Sequence, residues 1–154
     1  MKAFLSFVTL FTLSSSPLHA ELVLHWPLDE TDGAANVTDD IGGHSGAVGD
    51  GVSFGKDGAN PSTGTAAEFE GSGGIQAEWA EAINPESFTL TLWAKSNGGA
   101  GAWNSPVTSR HDLNPDSQGY LIYDSEPSGS WTFRSGKGEE PGNWQVMDGP
   151  EVKL

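Results

Sequence analysis

The sequence contains no cysteine. That excludes a disulfide framework and any zinc site built on thiolates. A chain of 154 residues must then be held by a core, by hydrogen bonds or by a metal with oxygen ligands. Basic residues are scarce as well: 7 Lys and Arg stand against 21 Asp and Glu, for a formal net charge of −14. Such a surface repels phosphate backbones and argues against nucleic acid as a partner. The 4 histidines, His19, His25, His44 and His111, are scattered without H-x-x-x-H spacing, so no imidazole cluster for zinc is expected. Helix signals are almost missing. Only Trp79 to Ile83 reads as a helical turn, stopped at Asn84-Pro85.

One long apolar run exists, and it lies at the start. Lys2 supplies a positive charge, Ala3 to Leu13 is apolar except for Ser6, Thr9 and Thr12, and Ser14 to Pro17 lead to the small residue Ala20. This is the layout of a secretory signal peptide, with cleavage expected after Ala20. A spanning helix needs about 20 apolar residues, and this run is about half that. No later segment is apolar enough to span. The expected organisation is therefore a signal peptide over residues 1–20 and one exported domain over residues 21–154, placed outside the cell or at its surface.

Gly and Pro, 21 and 9 in the whole sequence, punctuate the remainder of the chain, with short alternating runs between them. Alternation of apolar and polar residues marks half-buried strands. Strands are expected over Leu22–Leu28, Thr65–Glu70, Ile75–Trp79, Ser87–Ser96, Pro106–His111, Gly119–Asp124, Ser130–Ser135 and Trp144–Asp148. Thr65–Glu70 and Ile75–Trp79 read as a pair joined by Gly71-Ser72-Gly73-Gly74, and the last two segments as a hairpin. Ser87–Ser96 is the longest run. Its alternation puts Phe88, Leu90, Leu92 and Ala94 on one face, and with Trp26 the first three are the expected core. Many short strands with turn signals point to an all-β sandwich or jelly roll.

Several motifs bear on chemistry. Gly51-Val52-Ser53-Phe54-Gly55 matches the G-x-S-x-G nucleophile elbow, but Lys56-Asp57-Gly58-Ala59-Asn60-Pro61 cannot open the helix that motif needs, so a loop or edge strand is expected. Paired carboxylates of the E-x-D-x-x-E kind, which could flank a glycosidic bond on one strand face, do not occur. Glu68, Glu70, Glu78 and Glu81 read as solvated. Acidic turns are better candidates. Asp29, Asp32, Asp39 and Asp40 lie in Gly-bounded turns of the type that offers oxygens to calcium, which takes six to eight of them. The same residues can instead hydrogen-bond their own backbone. Asp112-x-Asn114-x-Asp116 starts like an EF-hand loop, but Ser117 and Tyr123 stand where that loop needs Gly and Glu. Asn36-Val37-Thr38 is a glycosylation sequon. Among the aromatic residues, 6 of them Trp, most are expected to fill or rim a core. Trp103 lies in a Gly-rich stretch, and with Asn104, His111 and Tyr120 it forms the candidate ligand-binding set.

The order of these segments resembles the laminin-G-like jelly rolls of the concanavalin A-like superfamily. Leu24-His25-Trp26-Pro27-Leu28-Asp29-Glu30 is similar to their opening strand, and Asp40 to Gly46 to the turn after it. Ala66-Ala67-Glu68-Phe69-Glu70-Gly71 is similar to a further strand, Ser87 to Lys95 to the F-T-x-x-x-W-x-K strand, and Gly119 to Tyr123 to the next. The resemblance implies an antiparallel two-sheet jelly-roll sandwich. It also implies a non-catalytic binding or adhesion module for glycans or extracellular proteins, within a larger multidomain chain, with calcium as a structural cofactor. A glycan hydrolase of the same fold and a structural spacer are the other functions it leaves open. Domains of this kind continue with further strands after the point where Gly149 to Leu154 closes this sequence, so an incomplete, C-terminally truncated jelly roll is expected.

Overall fold

The structure, a computed structural model, describes residues 20–71, 73–96, 104–110, 118–125, 130–138 and 143–151. The expected signal peptide lies outside them, apart from Ala20. The described chain is all-β with antiparallel pairing throughout, and its sole helical element is one 3-10 turn. Among the described residues no helix is long and apolar enough to cross a membrane. The chain falls into two units, divided after Phe88.

The first unit holds β1 (Asn36–Val37), β2 (Gly46–Val48), β3 (Val52–Asp57), β4 (Thr65–Phe69) and β5 (Ile75–Ala77), then the 3-10 turn Glu81–Ile83. β1, β2 and β5 form one sheet in that order, and β3 and β4 form a hairpin. The hairpin turn is built by side chains of the kinds that favour turns. Asn60 Oδ1 accepts the Ser62 N–H at 2.9 Å, and Thr63 Oγ1 accepts the Asn60 N–H at 3.1 Å. A Lys56–Glu68 ion pair at 2.8 Å crosses the two strands, beside the register shift between Ser53 and Lys56.

The expected pairing of β4 with β5 does not occur. β4 pairs with β3, and β5 pairs with β2. The glycine-rich link that reads as a tight turn is a corner. At the corner the two chain segments run side by side, with Gly49 N–H donating to Gly74 O at 2.8 Å and Glu70 N–H to Gly51 O at 2.7 Å. Residues 46–57 and 65–77 therefore make one long two-stranded ribbon that bends there. Gly51 has φ of 75°, and a Cβ on it would collide with the Glu70 carbonyl. Glycine permits the bend, as it does at strand corners generally.

The second unit is a four-stranded antiparallel meander: β6 (Asn104–Thr108), β7 (Gln118–Ser125), β8 (Ser130–Lys137) and β9 (Gln145–Glu151). β7 and β8 pair over eight residues without interruption. Their aromatic and β-branched residues suit a pleated surface. The expected hairpin of the last two segments is present as β8–β9.

Two expected strands are not strands. Leu22–Leu28 is extended chain outside any sheet, and Leu28 adopts φ of 61°. Side-chain hydrogen bonds hold this segment instead. Trp26 Nε1 donates to His44 O at 2.9 Å, and the half-buried ring packs so closely on Gly46 that a Cβ there would lie 2.8 Å from it. Ser87–Ser96 also joins no sheet. Phe88 is 44% exposed and Leu92 42%, while Leu90 is half-buried, so this face is not the core. Among the described residues the buried apolar ones are Val37 and Phe54 in the first unit and Leu121 in the second. Alternation reports a preference for a half-buried strand, but a strand also needs a neighbour for its backbone.

Candidate functional site

The acidic turns carry the four candidate metal ligands. Asp39 is 8% exposed, and each of its oxygens accepts two backbone N–H groups. Oδ1 takes His25 at 2.9 Å and Ile41 at 3.1 Å; Oδ2 takes Gly42 at 3.0 Å and His44 at 2.9 Å. Burial pushes its pKa up, but the four donors outweigh that and hold it at about 2. Asp29 Oδ1 accepts the Thr65 N–H at 2.7 Å and the Thr65 hydroxyl at 3.1 Å. Asp32 Oδ1 accepts Phe54 N–H at 3.2 Å, and Glu30 Oε1 accepts Thr38 N–H at 2.9 Å. Three neighbouring acids thus tie one turn to three places: the start of β4, the residue after β1, and β3. Asp40 lies 3.3 Å from His25 Nδ1. Among the described residues no three Asp, Glu or His side chains gather as a metal-holding group. Both oxygens of Asp39, and Oδ1 of Asp29 and of Asp32, serve backbone donors.

A second site is assembled on the β6–β9 sheet. Pairing across β7 and β8 sets Leu121 opposite Arg134 and Tyr123 opposite Thr132, so these four side chains share one face. Arg110 lies just after β6 and Trp144 just before β9. Together Arg110, Leu121, Tyr123, Arg134 and Trp144 line a concavity of about 350 Å³, with buried Leu121 at its floor. The Arg110 guanidinium lies 6.0 Å from the Trp144 ring centre, and that of Arg134 lies 5.6 Å from the Tyr123 ring. Both distances are within cation–π range. Arg110 Nη1 donates to the Tyr123 hydroxyl at 3.2 Å. Asp148 shares this face and accepts from Thr132 Oγ1 at 3.3 Å.

Of the candidate ligand residues read from sequence, the two that are described, Asn104 and Tyr120, do not line this concavity. Trp103 and His111 fall outside the described residues. Asn104 opens β6, exposed, opposite Asp124. Tyr120 is on the other face of β7, where its ring stacks on Phe133 at 6.5 Å between centres, and burial raises its pKa. In the sequence Tyr123 and Trp144 read as core or rim aromatics, and Arg110 and Arg134 carry no signal of a site. The sequence has two arginines, and both line this one concavity.

Ser53 of the G-x-S-x-G match sits within β3, and a Gly-Ala-Asn-Pro turn comes after that strand. Glu68 is spent on Lys56, whose pKa it raises by hydrogen bond and charge. No family model, curated protein or solved structure matches the chain.

Proposed function

We propose that this chain is an exported, non-catalytic binding domain of the laminin-G-like jelly-roll kind, which recognises glycans through the concavity on the β6–β9 sheet. The observation that carries the reading is the lining itself: two aromatic rings and two guanidiniums around an apolar floor. Sugar rings present apolar C–H faces to aromatic side chains and hydroxyls to fixed donors. A few placed polar groups over an apolar base are the usual make-up of a small-ligand site. Export is supported by the signal-peptide layout of residues 1–20. Recognition fits the lining better than hydrolysis does, since glycosidases need two carboxyl groups across the scissile bond.

The test is a glycan array probed with the wild-type chain and with Trp144→Ala. Retained glycans that are lost in Trp144→Ala are the expected result. Binding unchanged in that variant would move the site elsewhere, and an array without retained glycans would end the reading.

A further inference from the structure

We propose that Asn36 is the attachment site of an N-linked glycan, transferred to its side-chain amide during export; this rests on the export part of the reading above. Asn36-Val37-Thr38 has the acceptor order: asparagine, any residue but proline, then Ser or Thr. The sequence does not repeat it. Asn60-Pro61-Ser62 has the excluded proline in the middle, and the other asparagines lack a Ser or Thr two places on.

So short a match arises easily by chance; its place in the fold is what distinguishes it. Residues 36 to 39 alternate strictly: Asn36 and Thr38 are exposed, Val37 and Asp39 buried. Both side chains that the transfer needs therefore stand on the solvent side of the chain. Neither has a structural task there. β1 pairs with β2 through its backbone, with Asn36 opposite Ala47. Thr38 is held by its N–H, which donates to Glu30 Oε1 at 2.9 Å. Among the described residues no group hydrogen-bonds the Asn36 amide or the Thr38 hydroxyl. Asparagine is also a poor strand former, so its presence in β1 does not serve the sheet.

The donor is a lipid-linked oligosaccharide. Asn36 Nδ2 forms a bond to the anomeric carbon of its first sugar and gives up one proton. The bond from that carbon to the pyrophosphate oxygen breaks, and the lipid pyrophosphate leaves with the electron pair. Nothing is oxidised or reduced. The product is a bulky, solubilising group on the surface. Its position has a consequence for the sheet. β1 is two residues long and stands at the edge of the order β1-β2-β5. A hydrated oligosaccharide there bars a further strand from pairing with β1, the hazard that every sheet edge carries.

The experiment is secretion of the full chain, leader included, from a eukaryotic cell line whose secretory lumen carries out N-glycosylation. Mass spectrometry is then read on the peptide that contains Asn36. An added oligosaccharide mass is expected on most molecules, removable by an amidase that cleaves the glycan–asparagine bond. Asn36→Gln and Thr38→Ala should abolish it, and Thr38→Ser, which keeps a hydroxyl, should retain it. Thr38 is held through its backbone, so circular dichroism of Thr38→Ala should match the wild type. Secreted wild-type chain without the added mass would overturn the proposal and leave export standing. Chain kept inside the cell with its leader attached would refute both. Glycan still present on Thr38→Ala would place it on another residue and overturn the assignment to Asn36. Heating the native and the amidase-treated chain side by side tests the edge. The treated chain should aggregate at the lower temperature; equal onset would overturn the shielding of β1 and leave the attachment site standing.

Discussion

At the scale of single residues, Asp39 shows what an acidic turn is for in this chain. Its carboxylate gathers N–H groups from residues 25, 41, 42 and 44, which fixes a turn and also the extended segment before it. Asp39→Ala would leave four donors without this acceptor, three of them in one turn. A loss of about 3 kcal/mol or more is expected in urea denaturation. Asp39→Asn keeps one acceptor oxygen and should cost roughly half as much. The pH dependence has a definite sign. The folded pKa, about 2, is below the ordinary aspartate value of 3.8, so protonation opposes folding. The stabilisation, about 2 kcal/mol by linkage, is complete above roughly pH 5 and disappears as pH falls towards 2. Denaturation followed between those limits should show an acid loss in the wild type that is smaller in Asp39→Asn by about that amount. The sequence made Asp39 visible as a turn acid with oxygens to offer, but not what would take them. Three of its four partners are near neighbours in the chain; His25 is brought to it only by the fold.

At the scale of elements, legibility tracked the distance over which a strand finds its partner. β7, β8 and β9 pair with the next strand in sequence, and alternation located all of them within a few residues. β1 and β2 have two and three residues and gave no periodic signal. The link at residues 71–74 was seen as glycine-rich, but glycine serves a tight turn and a ribbon corner equally, and only the partner strands tell them apart. Ser87–Ser96 is the reverse case, a strong pattern without a sheet. Trp93 is 78% exposed there. Truncation separates the two kinds of site. Leu121→Ala, at a buried position opposite Arg134, should cost about 2–5 kcal/mol. Leu92→Ala, at a largely exposed one, should cost under about 1 kcal/mol. Equal losses in chemical denaturation would mean that the exposed run packs after all. The concavity was the least legible feature, because its rings and guanidiniums come from four separate stretches and meet only when β7 and β8 are in register.

At the scale of the whole molecule, charge is the main liability. With −14 and no cross-links, self-repulsion opposes the compact state. Added salt shortens the reach of that repulsion from about 30 Å at 0.01 M to under about 8 Å above physiological strength. Melting temperature should therefore rise with sodium chloride. The same measurement at fixed ionic strength, with calcium or with chelator, tests the acidic turns. Asp39 is engaged at both oxygens, whereas Asp29 and Asp32 are engaged through Oδ1 and Asp40 faces His25, so a modest rise with calcium is the expected result, and equal melting in calcium and chelator would overturn a structural ion at these turns. The bent ribbon has a further consequence, for the order of events in folding. Its closing turn, Asn60 to Thr63, is held by bonds between residues two or three apart, so closing it sacrifices little chain entropy. From there the arms can zip outwards through β3–β4, pass the glycine corner and continue into β2–β5 without any distant segment arriving. Only then do residues 25 to 39 have a surface to dock on. The ribbon is therefore the expected nucleus of the first unit, and high φ-values in β3 and β4 with low ones in residues 25 to 39 are the result that checks it.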